Sequence, residues 1–260
     1  MSKEFSGKVV VITGGAVGIG RATALLMADE GATLVIADVN EELGNATTAE
    51  IKEKGEDAMF VKADISRASD VSNLVSRAVG RYGRIDALVN NAGVVLISDV
   101  ETTETDDFDK VVNVNYRGSF LCCKEVIPIM KKQGRGVIVN VASVSAHIGQ
   151  PKHAAYAGTK GAVLSMTRAM AAELAPYNIR VNSVSPGAVD TPMLRSDMKK
   201  QSVARGIPLD EVRREFASES LVKRISSPDE IAPIIAFLCS DRSSYMTGAD
   251  VLVDGGWVAK

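Results

Sequence analysis

The 260-residue sequence is poor in the residues that staple or metallate a fold: it has three cysteines, two histidines and one tryptophan, and only 5% of it is aromatic. Cys122, Cys123 and Cys239 are an odd number set in apolar helical contexts. Without the paired spacing of a zinc site or a disulfide framework, they read as reduced core thiols. His147 and His153 belong to no Cys/His cluster, so no metal centre is expected. No apolar stretch approaches the length of a membrane span, and Met1 to Lys8 mix acidic and basic residues with no apolar core of signal-peptide length. A cytoplasmic protein is the expectation. An excess of either charge is missing too: 30 basic and 32 acidic residues leave a formal net charge of -2 and a pI near 5.8. That excludes a broad basic footprint for nucleic acid or an anionic membrane surface. Repeats, low-complexity tracts and linkers are absent as well, and 46% hydrophobic content is enough for a full core, so residues 1–260 are expected to form a single domain.

What is present is an alternation of short apolar runs and longer amphipathic ones. Lys8-Val9-Val10-Val11-Ile12 reads as a strand buried on both faces of a parallel sheet. A glycine turn follows, Thr13-Gly14-Gly15-Ala16-Val17-Gly18-Ile19-Gly20, and leads into a helical pattern that stops at Gly31. Glycines let the backbone turn sharply and approach a pyrophosphate, while a helix N-terminus offers unpaired N–H groups and a positive dipole end. The second strand, Thr33 to Ala37, ends at Asp38, where a dinucleotide fold keeps its ribose-binding acid. Its carboxylate would repel the extra phosphate of NADP, and no basic residue of the turn or at Val39 offsets this, so NAD is favoured over NADP. Asp64, followed by Ile65, closes the third strand and could bond adenine or cap the helix that begins at Ser69. Asn90-Asn91-Ala92-Gly93 closes the fourth, as a plain turn or as an adenosine contact.

Between Asp106 and Lys132 runs one long helix with Asn113 and Asn115 embedded in it. Asn is a poor helix-interior residue, so one of the two is expected to bond a backbone carbonyl at a kink or to hold a water near the site. Val137 to Ala142 forms a strand, after which Ser143 opens a loop. Tyr156 and Lys160 lie four residues apart on the next helix and share a face. An ammonium beside a phenol favours the phenolate, which makes Tyr156 a candidate general base. A strand from Ile179 ends at Pro186-Gly187, and a polar segment at about 190–225 with eight basic and six acidic residues reads as a solvated helical lid. A closing helix and a last strand from Ala249 complete the pattern. The fold class is α/β: a Rossmann-like, doubly wound parallel sheet of about seven strands with helices on both faces.

The combination of the glycine turn, Asn90-Asn91-Ala92-Gly93, Ser143, Tyr156-Ala-Gly-Thr-Lys160 and Pro186-Gly187 with Thr191 resembles the short-chain dehydrogenase/reductase family over nearly the whole chain. That resemblance implies hydride transfer between a nicotinamide cofactor and a secondary alcohol or its ketone. Catalytic residues would be Asn115, Ser143, Tyr156 and Lys160, with Asn113 as the fallback for the first. Ser143 and Tyr156 would bond the substrate oxygen, Lys160 would hold the nicotinamide ribose and lower the Tyr156 pKa, and Asn115 would anchor a water relaying protons to solvent. The cofactor would lie along Gly14, Val17, Gly18, Ile19, Asp38, Asp64, Ile65, Asn91, Ala92 and Gly93, then Pro186, Gly187, Val189 and Thr191. The resemblance also implies a homotetramer, the long helix and the Tyr-bearing helix pairing across subunits.

The substrate pocket is expected from Val94 and Val95, from Ser143, Ser145, His147, Gln150 and His153, and from Ala188 and Met193 beside Tyr156. Four polar loop groups would suit a sugar, polyol or other small hydroxy compound. The same motifs would serve a 3-oxoacyl-[acyl-carrier-protein] reductase, which Asp38 disfavours. A non-catalytic dinucleotide sensor would be expected to have lost Tyr156 or Lys160.

Overall fold

A computed structural model of the chain describes residues 3–260. Strand and helix alternate through β1 (Val9–Thr13), α1 (Gly18–Asp29), β2 (Thr33–Asp38), α2 (Glu41–Glu53), β3 (Ala58–Lys62), α3 (Ala68–Tyr82) and β4 (Ala87–Asn90). Next, α4 (Thr105–Val112) passes through a π-helical segment (Asn113–Gly118) into α5 (Ser119–Gln133), followed by β5 (Gly136–Val141), α6 (Ala154–Leu174) and β6 (Ile179–Pro186). Two helices of the polar segment, α7 (Pro192–Arg205) and α8 (Leu209–Glu219), precede α9 (Pro228–Cys239) and β7 (Asp250–Val253). The strands form one seven-stranded sheet in the order β3-β2-β1-β4-β5-β6-β7, parallel at every pairing.

The strands are continuous apolar runs because both faces of the sheet are covered. Successive residues of β1 go to opposite layers: Val9 and Val11 pack with Leu74, Val126 and Leu174 of α3, α5 and α6, whereas Val10 and Ile12 pack with Met27 of α1 and Ile231 of α9. The order of the strands reverses between β1 and β4, which leaves a crevice at their carboxyl ends, where α/β sheets bind ligands.

Buried amides fix the layers. Asn90 Nδ2 at the end of β4 donates to Asn140 Oδ1 on β5 (2.9 Å), and Asn140 Nδ2 donates to Thr167 Oγ1 on α6 (2.9 Å). Asn90 is therefore a bolt between sheet and helix, neither a turn residue nor an adenosine contact. Asn91 stitches the crevice itself, its Nδ2 donating to the carbonyls of Thr13 (3.0 Å) and Gly14 (2.9 Å). The long helix expected from Asp106 to Lys132 is continuous but carries the π segment, which takes up the two asparagines.

Gly14 has φ +62°, and a Cβ there would lie 2.8 Å from Ala92 Cα. Gly14→Ala is expected to lower unfolding free energy by about 1–3 kcal/mol in a denaturant titration, through left-handed strain and the forced separation of β1 from β4.

Candidate active site

A cavity of about 520 Å³ runs along the carboxyl edge of the sheet. At one end the glycine turn contributes Gly14, Val17, Gly18 and Ile19, and β2 contributes Asp38. The N-terminus of α1 has no side-chain cap and no acid in its first turn, in contrast to α2, which Asn40 caps. Its free N–H groups and dipole are left for an anion. The Asp38 carboxylate is turned over the glycine turn, Oδ2 accepting from Ala16 N (3.1 Å) and Oδ1 from Asn40 N (3.0 Å). Asp64 and Ile65 line the wall after β3. Asp64 does not cap α3; its carboxylate accepts from the Ser66 N–H (3.0 Å) and hydroxyl (2.7 Å). Asn91, Ala92 and Gly93 form the floor, and Pro186, Gly187, Val189 and Thr191 the far wall. Thr191 caps α7, accepting from Leu194 N (3.3 Å), and its methyl would lie 3.1 Å from a Cβ at Gly18, so the start of α7 rests on the glycine turn.

Ser143, Tyr156 and Lys160 converge in the same cavity. Ser143 initiates a 3-10 turn, its Oγ accepting from Ser145 N (3.1 Å). Lys160 is 5% exposed, its Nζ donating to the Val141 carbonyl at the end of β5 (2.8 Å) and lying 5.7 Å from the centroid of the Tyr156 ring. Burial lowers its pKa to about 8. Tyr156 keeps some surface toward the cleft, but its phenol is desolvated and its pKa is held above the ordinary value, the Ser143 hydroxyl acting in the opposite direction. This corrects the expectation of a Tyr156 pKa lowered by Lys160: burial raises it, and the group that pulls it back is the Ser143 hydroxyl.

Asn115, rather than Asn113, reaches the site. It is 1% exposed, with Oδ1 accepting from Val94 N (2.8 Å) and Nδ2 donating to Val94 O (2.9 Å) and Thr159 Oγ1 (3.1 Å). Of the two roles left open, bonding a backbone carbonyl is realised, although the carbonyl belongs to the loop after β4 and not to a kink in the helix. Asn115 thus ties that loop to the helix of Tyr156 and Lys160. Both Asn115 Oδ1 and Lys160 Nζ border Gly93, where an added Cβ would lie 3.3 Å and 3.6 Å from them.

The polar pocket expected from one loop is only partly assembled. Ser145 and Gln150 line the cavity but hydrogen-bond each other. His147 is not in the lining: its Nε2 turns to Asp250 Oδ2 (2.8 Å) and Ser185 Oγ (3.3 Å), which hold the ring elsewhere. Asp250 also accepts from Ser183 (2.6 Å), so β6, β7 and the Ser143 loop meet at one carboxylate. His153 does line the cavity, edge-on to Tyr156 with centroids 6.4 Å apart, and Met193 lines it too. Sequence reasoning missed Leu194, Asp197, Phe216 and Trp257, which also line it. Asp197 follows Met193 by four residues on α7, a spacing that could have pointed to it.

A family model described as "Enoyl-(Acyl carrier protein) reductase" matches residues 14–258. The chain belongs to the short-chain dehydrogenase/reductase family. It is 39% identical to cyclopentanol dehydrogenase of Comamonas testosteroni over 252 residues, 97% of each chain. Among solved structures it is similar to levodione reductase (TM-score 0.94, 39% identity, covering 98% of this chain and 99% of that one). It is also similar to NAD+-bound xylitol dehydrogenase (TM-score 0.93, 36% identity, covering 98% and 100%). As a member of that family, which uses a nicotinamide dinucleotide, it is an oxidoreductase acting on secondary alcohol groups. The glycine cradle, the uncapped α1 terminus and the poised Asp38 carboxylate fit such a group. Among the described residues no cluster of three His, Cys, Asp or Glu could hold a metal ion, and no helix is long and apolar enough to cross a membrane.

Asp250→Ala would leave two serine hydroxyls and His147 without their shared acceptor. It is expected to reduce stability by about 2–4 kcal/mol in chemical denaturation, with the Ser143 loop becoming more susceptible to limited proteolysis.

Proposed function

We propose that the protein is an NAD-dependent dehydrogenase of compact secondary alcohols, cyclic alcohols and polyols among them, with Tyr156 as the acid/base. The observation that carries this reading is the meeting of Ser143, Tyr156 and Lys160 in one cavity with a dinucleotide cradle at its other end. NAD, when bound, would accept the hydride from the carbinol carbon. Ser143 and Tyr156 would hold the carbinol oxygen, and Tyr156 would take its proton in oxidation or give one back in reduction. Lys160 would hold the nicotinamide ribose and, while charged, favour the phenolate. Asn115 would keep a water beside Lys160 as the exit for the proton. Thr191 would bond the carboxamide and fix the face of the ring.

Asp38 supports NAD over NADP, because a carboxylate held in place by two backbone N–H groups would repel a 2′-phosphate. Val94, Val95, Val144, Leu194, Phe216 and Trp257 give the pocket a mainly apolar wall, suited to a small ring or short chain. We infer that α7 and α8 act as the lid and that residues 1–260 work as one domain. A cytoplasmic homotetramer is the form we infer, its subunits joined through the face of α4 and α5 that exposes Phe108 and Phe120.

Oxidation needs the phenolate, and burial holds the Tyr156 pKa above its ordinary value, so kcat/KM for oxidation is expected to climb from pH 6 into the alkaline range. Reduction needs the phenol and should fall as pH rises. Tyr156→Phe should remove both slopes and reduce turnover by at least about 100-fold, read at 340 nm. Residual activity with the wild-type pH profile would remove Tyr156 from the acid/base role. Asp38→Ala should lower the NAD to NADP ratio of kcat/KM by about tenfold or more; an unchanged ratio would sink the account of cofactor choice. Acetoacetyl thioester reduction with no alcohol oxidation would instead favour a carrier-protein reductase.

A further inference from the structure

With Ser145 Oγ donating to Gln150 Oε1 and His147 turned to Asp250, two side chains of the cavity wall beside Tyr156 and Met193 keep a free acceptor among the described residues: His153 and Asp197. They come from different elements. His153 precedes α6 and packs edge-on against Tyr156, while Asp197 lies on α7, in a stripe with Met193 and Gln201 at intervals of four. His153 Nδ1 is 2.7 Å from the Pro151 carbonyl, which can only accept, so Nδ1 carries the proton and Nε2 of the neutral ring is an acceptor. Among the described residues Asp197 takes one side-chain hydrogen bond, from Gln201 Nε2 to Oδ2 (3.1 Å), which leaves Oδ1 free.

We propose that Asp197 Oδ1, on the cavity wall that His153 also lines, accepts from a second hydroxyl of the substrate, so that the preferred substrates are diols whose other hydroxyl lies beside the carbinol being oxidised. The argument rests on the dehydrogenase reading above and deepens it. A carboxylate oxygen only accepts, so the ligand group that meets Asp197 must donate. A carboxylate in a largely apolar pocket loses water on closure and is stabilised only by a donor that replaces it. Desolvation already holds the Asp197 carboxyl above its usual range, while the hydrogen bond from Gln201 and the charge of Lys200 pull it back. Lys200 supplies positive charge nearby, so the subsite is not a net negative well that would select an ammonium; a neutral hydroxyl donates to Asp197 without burying a second charge. An apolar ligand filling the same space would leave Asp197 Oδ1 unpaired, which is the basis of discrimination.

The test compares kcat/KM with NAD for cyclohexanol, cis-1,2-cyclohexanediol and 2-aminocyclohexanol in the wild type, Asp197→Leu and Asp197→Asn. Binding of 2-hydroxycyclohexanone to the enzyme–NADH complex would be measured by calorimetry. The wild type is expected to prefer the diol over the mono-ol by at least about tenfold. Asp197→Leu should bring that ratio to within about threefold of unity and weaken hydroxyketone binding about tenfold, with Asp197→Asn, which keeps the shape and the Gln201 contact, falling between. A ratio that is already near unity in the wild type, a ratio unchanged by the substitutions, a parallel loss for both alcohols, or a preference for the amino alcohol would overturn the subsite alone. A wild type that oxidises none of the three would overturn the dehydrogenase reading and the subsite with it.

Discussion

The site is organised around an ammonium that has been taken out of water without a carboxylate to meet it. Lys160 is held by one carbonyl at the end of β5 and shares its cavity with a desolvated phenol. An unpaired buried cation is costly, and the cost appears as a pKa near 8 instead of as an ion pair. The group therefore switches its charge within reach of ordinary pH, which a salt-bridged lysine would not do. Everything nearby serves to keep that arrangement in place: Asn140 and Thr167 fasten α6 to the sheet, and Asn115 fastens α6 to the loop after β4.

The opposite end of the cavity follows a complementary rule. There the fold withholds a partner from backbone donors, leaving the first turn of α1 without a cap, and aims a carboxylate at a fixed position with two amides of its own chain. One end is a buried cation short of an anion and the other is a set of N–H groups short of acceptors. A dinucleotide with its ribose hydroxyls and pyrophosphate answers both deficits at once.

Much of this was legible in the sequence, for identifiable reasons. Doubly covered strands leave unbroken apolar runs, so β1, β2 and β5 could be read almost to the residue, and the i, i+4 spacing put Tyr156 and Lys160 on one face before any coordinates. The failures are equally local. His147 looked like a pocket residue because it lies four positions from Ser143, but its partner is Asp250, more than a hundred residues away, and no periodicity announces such a pairing. Asp197 was hidden among the charges of a segment read as solvated. Tyr156 was assigned its pKa shift from its nearest cation, whereas desolvation is set by the whole enclosing fold, which spacing along a helix does not report.

The π segment at Asn113–Gly118 has a geometric corollary. An α-helix advances about 100° per residue, so the extra residue of a π turn displaces everything beyond it by that angle relative to an unbroken helix. α4 and α5 are therefore out of phase with one another, and their apolar faces point in directions that no single helical wheel drawn from Thr105 to Gln133 would superimpose. Removing one residue from the segment would restore a regular wheel, and in doing so would rotate either Asn115 away from Val94 or Cys122, Cys123 and Val126 out of the core layer. The irregular turn lets one continuous rod serve two azimuths, one toward the reacting centre and one toward the sheet.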